Sequence, residues 1–255
     1  MADPALVGQL ALVTGASSGL GAHFAHVLAA HGADVICAAR RASALDSVVD
    51  AITRRGGLAR RLCMDVTDAQ AVTDGFEQVV GSCGRPPGIV VNNAGVGQHQ
   101  PALALTPEDW SLVLATNLSG PFLVAQAAAR QLVASGQPGN IINITSILGQ
   151  RVASGVAAYS ASKAGLMHLT RALALEWARH DIRVNTLSPG YIETDLNREF
   201  FASEAGDRLR RRIPQRRLGQ LDDLNSALLM LASPESRYMT GAVINVDGGH
   251  LCSTL

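Results

Sequence analysis

The chain has no surplus charge of either sign: 21 Lys and Arg offset 21 Asp and Glu, for a formal net charge of +0. A neutral balance gives no global field for a polyanion, so no nucleic-acid partner is expected. Aromatic residues are scarce at 4%, and charged residues reach only 16% against 47% hydrophobic residues and 25 glycines. Disorder requires the opposite pattern, low hydrophobicity with high net charge. The abundant Ala, Val, Leu, Ile and Gly suit helices layered on a parallel sheet. The four cysteines, Cys37, Cys63, Cys83 and Cys252, form no CxxC pair. Cys37 and Cys63 lie inside apolar runs and read as buried packing residues. The first ten residues have no basic n-region of a signal peptide. No apolar stretch approaches the about 18 unbroken residues of a membrane span. These absences point to a cytoplasmic chain with reduced thiols and no membrane partner. Seven histidines form no HExxH and there is no carboxylate cluster, so no metal site is expected. His23, His26 and His31 share one helix, and His99 sits in a loop that faces either solvent or a substrate.

What the chain does have is a β-α alternation. Short apolar runs predict strands at residues 10–14, 34–38, 58–64, 89–91, 140–145, 182–187 and 242–246. Longer helical patterns fall at 20–31, 42–55, 69–82, 107–134, 157–180 and 221–232, with 107–134 in two parts that meet near Asn117. Such repetition predicts an α/β fold with a parallel sheet of about seven strands and helices on both faces. No linker and no internal repeat divides residues 1–255, which read as one domain. The one long irregular stretch is 188–220. Loops of that length are usually functional, so its part at about 194–220 is expected to be a substrate lid.

The first predicted strand runs into Thr14-Gly15-Ala16-Ser17-Ser18-Gly19-Leu20-Gly21. Glycines there turn the chain tightly, admit a pyrophosphate to the backbone and let the helix pack close to the sheet. The helix offers free N–H groups and a positive dipole end to phosphates. A tight turn without ligand is the plain alternative. The strand before and the helix after satisfy the context that a dinucleotide site needs.

The spacing Gly-x3-Gly-x-Gly with its leading Thr resembles the short-chain dehydrogenase/reductase family, and the resemblance runs from about residue 10 to residue 249. It implies a doubly wound, three-layer Rossmann fold and a nicotinamide cofactor on Gly15, Ser17, Ser18, Gly19, Leu20 and Gly21. The second strand ends in Ala38-Ala39-Arg40-Arg41, without the acid that would select NAD by binding the ribose hydroxyl. A guanidinium pairs well with a 2′-phosphate. Arg40, with Arg41 and Ser17, therefore argues for NADP, with NAD possible if both arginines are only solvated charges. In relatives of this type an Asp such as Asp65 accepts from adenine and a Val such as Val66 packs on the ring. Asn92-Asn93-Ala94-Gly95 matches a family signature in which Asn93, Ala94 and Gly95 run along the cofactor. Pro189, Gly190, Ile192 and Thr194 match its Pro-Gly turn at the nicotinamide carboxamide.

Tyr159-Ser160-Ala161-Ser162-Lys163 opens the long helix, and residues four apart share a helix face. A nearby ammonium lowers a phenol's pKa from about 10. Ser146 closes the fifth strand thirteen residues before Tyr159, and Thr145 is its competitor. The family resemblance implies the roles. Tyr159 is the acid or base at the substrate oxygen, and Ser146 polarises that oxygen. Lys163 tunes Tyr159 and binds the ribose, and Asn117 holds a water that relays protons. The whole implies an NADP-preferring oxidoreductase interconverting a ketone and a secondary alcohol. Alternatives are a 3-oxoacyl-thioester reductase, acting on an acyl-carrier-protein or coenzyme A substrate, and a non-catalytic dinucleotide sensor.

The lid carries Phe200 and Phe201, then Arg208, Arg210, Arg211, Arg212, Arg216 and Arg217. The arginines suit either an anionic substrate or a solvated helix face. Carrier-protein reductases of the family carry two arginines for their acidic partner. Arg130 is in place for one, but Leu175 stands where the second belongs. Ala-rich helices at 115–134 and 157–180 resemble those of family homotetramers, so a homotetramer is expected, its partner otherwise a small carbonyl or alcohol substrate.

Overall fold

In the computed structural model, which describes residues 6–194 and 198–252, each predicted apolar run is a parallel strand. In chain order the elements begin β1 (Leu10–Thr14), α1 (Gly19–Ala30), β2 (Asp34–Ala39), α2 (Ala42–Arg54), β3 (Leu58–Cys63), α3 (Ala69–Cys83) and β4 (Ile89–Asn92). Then come α4 (Pro107–Leu114), α5 (Gly120–Ser135), β5 (Gly139–Ile144), α6 (Ala157–Trp177) and β6 (Ile182–Pro189). The last are α7 (Arg198–Phe201), α8 (Glu204–Arg210), α9 (Asn225–Ala232) and β7 (Val243–Val246). The sheet order is β3-β2-β1-β4-β5-β6-β7, all pairs parallel. The order reverses between β1 and β4, which opens a crevice at the carboxyl edge there.

Alternation along each strand feeds two cores. Ala11 and Val13 pack with Phe24 and Leu28 of α1 and Leu228 of α9. Leu10 and Leu12 face the other way, onto Phe76 of α3, Val124 and Leu132 of α5 and Leu173 of α6. Both faces are covered, so the strands read as unbroken apolar runs. β3 is the exception. As the edge strand it turns Arg60 and Arg61 outward, to Asp34 at 2.7 Å and Asp46 at 2.6 Å. Charge on an edge blocks pairing with another sheet. Cys37 is buried as expected, but Cys63 is exposed, because it ends this edge strand on its solvent side.

One expectation about an irregular segment holds and another changes. The two helical parts do meet at Asn117, with no break between them: a π-helical turn, Ala115–Ser119, joins α4 to α5. Pro107–Ser135 is long and apolar enough to cross a membrane by length and composition, yet Val124, Ala125, Ala128 and Leu132 are core residues here. The 188–220 stretch is not structureless. β6 extends to Pro189, α7 and α8 follow, and Ile192 bridges Gly219. Phe201, Ile213 and Leu218 make a small third core with Tyr191 and Leu209.

A hydroxyl joins the two sides of the crevice. Thr14 Oγ1 accepts from the backbone N–H of Asn93 and of Ala94, each at 3.0 Å, and donates to Val91 O at 3.4 Å. The Asn93 amide returns a bond to Thr14 O at 3.0 Å. Further in, Asn92 donates to Asn143 Oδ1 and to Pro121 O, while Asn143 donates to Thr170 Oγ1 at 2.8 Å. Thr186 donates to the same hydroxyl at 3.1 Å. This buried network ties β4, β5 and β6 to α5 and α6, and every bond in it is costly to lose. Thr14→Val strands two N–H groups and is expected to lower stability by about 2 kcal/mol in urea unfolding, while Thr14→Ser keeps most of it.

Candidate active site

Two adjoining clefts lie along the carboxyl edge. The first, about 400 Å³, covers the β1–α1 turn, with Gly15, Ser17, Ser18, Gly19 and Leu20 on its wall. Gly21 sits beneath that wall. A side chain there would collide with the Gly15 carbonyl and the Asn93 amide, so α1 rests directly on the turn. Gly15 (φ 64°) and Gly19 (φ 54°) adopt the left-handed conformation that glycine favours. Ser18, the residue capping α1, makes no side-chain bond to the helix. The first N–H groups of α1 thus receive no side-chain cap, the arrangement that receives phosphate.

Arg40 and Arg41 form the far wall with Asp65 and Val66. Arg41 Nη2 donates to Ser17 Oγ at 3.4 Å. Arg40 Nη1 lies 3.9 Å from Asp65 Oδ2. Asp65 Oδ1 accepts from Thr67 N at 3.0 Å and Thr67 Oγ1 at 2.8 Å. The Thr67 backbone bond chiefly holds this carboxyl below its ordinary range, the Arg40 charge adding a little. Asn93, Ala94, Gly95 and Thr194 complete the cleft, as do Val96, Met64 and Thr116, which sequence patterns did not flag. The glycine-lined turn, the uncapped helix end and the two guanidiniums together fit a phosphorylated dinucleotide.

The second cleft, about 740 Å³, shares Leu20, Asn93, Gly95, Val96 and Thr194 with the first. Ser146, Tyr159 and Lys163 line it, with Pro189, Gly190 and Ile192 opposite. Ser146 Oγ caps the short turn Ile147–Gly149 by accepting from Leu148 N at 3.2 Å. Thr145 also lines the cleft, but its hydroxyl is engaged with the backbone, donating to Leu187 O at 3.4 Å. Lys163 is 4% exposed, and its ammonium donates to Ile144 O at 2.9 Å. The ammonium lies 5.6 Å from the centroid of the Tyr159 ring. Burial pulls Lys163 down to about 8.

Tyr159 departs from expectation. Burial raises its phenol above the ordinary value, and Tyr191 adds to that rise. The lowering influence is the hydrogen bond with Ser146 rather than Lys163. In a dry pocket, desolvation of the phenolate outweighs an ammonium that is itself desolvated.

Asn117 is fully buried. Its Oδ1 accepts from Val96 N at 2.8 Å, and its Nδ2 donates to Val96 O at 2.8 Å and Ser162 Oγ at 3.2 Å. Ser162, missed by the sequence reading, donates its own hydroxyl hydrogen bond to the Tyr159 backbone carbonyl at 2.7 Å. Both amide protons of Asn117 therefore go to protein groups, and its side chain clamps the loop after β4 to α6. A Cβ on Gly95 would stand 3.3 Å from Asn117 Oδ1 and 3.6 Å from Lys163 Nζ, which brings the clamp and the ammonium to one spot.

His99 lines the second cleft, as do Leu148, Tyr191 and Phe201. The side chain of Phe200 lies outside the described residues, and Val152 is 88% exposed and away from this cleft. Three arginines of the 194–220 segment are paired locally. Arg208 pairs with Glu204, Arg210 with Asp207 and Arg217 with Asp223. For these three the solvated-face reading holds. His250 against Tyr191 had no sequence signal, because they meet only through tertiary packing.

Comparison with known proteins agrees with this geometry. A family model described as enoyl-(acyl carrier protein) reductase matches residues 15–250. The chain is 38% identical to gluconate 5-dehydrogenase of Gluconobacter oxydans, covering 96% of this chain and 95% of that protein. It is 41% identical to (3R)-3-hydroxyacyl-CoA dehydrogenase of Canis lupus familiaris, covering 98% and 99%. The crystal structure of gluconate 5-dehydrogenase from Burkholderia cenocepacia, in complex with NADP and tartrate, superposes with a TM-score of 0.94 at 35% identity, covering 98% of each chain. Matches of this extent, on a seven-stranded parallel sheet with a dinucleotide-shaped crevice, place the chain in the short-chain dehydrogenase/reductase family, as an oxidoreductase of alcohol and carbonyl groups.

Proposed function

We propose that the protein interconverts a ketone and a secondary alcohol with a preference for NADP. The observation that carries this reading is the cluster of Tyr159 and Ser146 on the wall of one cleft with the buried Lys163 ammonium behind them. Gly15 to Leu20, Arg40, Arg41 and Thr194 would hold the dinucleotide, with Asp65 and Val66 at the adenine and Ile192 at the nicotinamide. The nicotinamide supplies or takes up hydride when bound.

The chain's own residues handle the oxygen and the proton. Ser146 donates to the substrate carbonyl oxygen and polarises it. Tyr159, neutral at pH 7 because burial raises its pKa, hands its proton to that oxygen in reduction and removes it in oxidation. Lys163 supplies positive charge to the developing phenolate and would bind the ribose. Asn117 and Ser162 hold the loop and the helix start that carry these groups.

A coenzyme A thioester is the second reading, favoured by the 41% identical hydroxyacyl-CoA dehydrogenase. Acetoacetyl-CoA set against a ketone and sugar panel separates the two. A carrier-protein thioester has less support, since the exposed Leu175 occupies the place of the second arginine. Leu112, Val133 and Leu175 are exposed on α4, α5 and α6, which supports self-association through those helices as a homotetramer.

Tyr159→Phe is expected to cut turnover about a thousandfold or more, with cofactor affinity measured by nicotinamide fluorescence changed little. The Lys163 pKa of about 8 sets a pH limit. A lowered ammonium is charged below about pH 7 and neutral above about pH 9, so kcat/KM for reduction is expected to be flat in acid and to fall above about pH 8. Arg40→Ala is expected to lower the ratio of kcat/KM for NADPH over NADH about tenfold to a hundredfold, the worth of a charged hydrogen bond.

A further inference from the structure

Tyr191 stands in the second cleft with no part in the chemistry above. It follows Pro189-Gly190 at the end of β6. A Cβ on Gly190 would lie 2.7 Å from the Asp247 backbone, so the turn that aims Tyr191 has little freedom. Phe201 packs edge-on against its ring, centroids 6.1 Å apart at 82°. His250 covers it from another side at 5.5 Å and 38°. The ring is thus gripped twice, whereas among the described residues its hydroxyl makes no hydrogen bond to the protein. A plain wall for an apolar group would be better served by Phe. A gripped ring with an open hydroxyl is what a site built to read an oxygen needs.

We propose that Tyr191 is a specificity-determining residue whose hydroxyl donates a hydrogen bond to a second oxygen of the substrate, close to the carbonyl held by Tyr159 and Ser146. The preferred substrates are then ketones with a neighbouring hydroxyl or carbonyl oxygen rather than plain ketones. Burial keeps the Tyr191 phenol protonated above its ordinary range, so it remains a donor throughout the neutral region. Its influence on Tyr159 puts the two phenols in one electrostatic neighbourhood. A site that hydrogen-bonds a substrate oxygen discriminates strongly against the analogue lacking it, because its polar group is otherwise left unpaired.

This inference rests on the assignment of Tyr159 as the proton donor, and the test separates the two. Wild type and Tyr191→Phe are assayed on hydroxyacetone against acetone, and on ethyl acetoacetate against a plain methyl ketone of equal length. Wild type is expected to favour the oxygenated member of each pair. In Tyr191→Phe, which keeps the ring packing, the ratio of kcat/KM for oxygenated over plain ketone is expected to fall about tenfold, mainly through KM. Tyr191→Leu, lacking ring and hydroxyl, is expected to lose the same preference. If both pairs are turned over and the ratio stays within about twofold in Tyr191→Phe, the residue is only a wall and the proposal is overturned. If wild type binds cofactor yet turns over no ketone, the assignment of Tyr159 fails and this proposal falls with it.

Discussion

The crevice exists because one hydroxyl holds its two lips together. β1 and β4 are neighbours in the sheet, but their chains leave toward opposite faces, and nothing in the ladder itself ties the turns beyond. Thr14 Oγ1 takes the N–H groups of Asn93 and Ala94, and the Asn93 amide reaches back to Thr14 O. The phosphate turn and the loop after β4 therefore form one rigid floor. Gly21 lets α1 sit on that floor and Gly95 lets it pass close to Lys163. A site on fixed strand ends is held more closely than one on free loops.

The second dependence is the burial of Lys163. Removing an ammonium from water is costly. Here the cost is offset by the Ile144 carbonyl and by the face of Tyr159. The Asn92–Asn143–Thr170–Thr186 network keeps α6 at the height where that geometry holds. The same dryness works on Tyr159, which keeps its proton until something stabilises the anion. Stability and chemistry thus meet in one helix start: the polar network that anchors α6 also sets the position of its reactive side chains.

Much of this was legible in the residues. Strand faces buried on both sides must be continuously apolar, so Leu10–Thr14 and Ile89–Asn92 announced themselves. The glycine turn and the Tyr-x3-Lys pair were legible because their geometry is local, a turn and one helix face. Cys63 misled because an apolar run does not say which strand is the edge. The junction at Asn117 was legible but its form was not, because a helix absorbs an extra residue as a π turn without a change in its apolar pattern. The 188–220 segment hid α7 and α8, since helices of four and seven residues leave too short a periodicity to detect.

By itself, then, the chain's order of residues determined a parallel α/β sheet, its phosphate turn and the candidate catalytic set, because each depends on neighbours within a few positions or on the period of a strand or helix. Only the tertiary structure decided what those groups feel. The height of the Tyr159 pKa, the saturation of the Asn117 amide and the grip of Phe201 and His250 on Tyr191 all arise between residues ten or more positions apart. Desolvation and hydrogen bonding act through space, and no local pattern encodes which distant group will arrive.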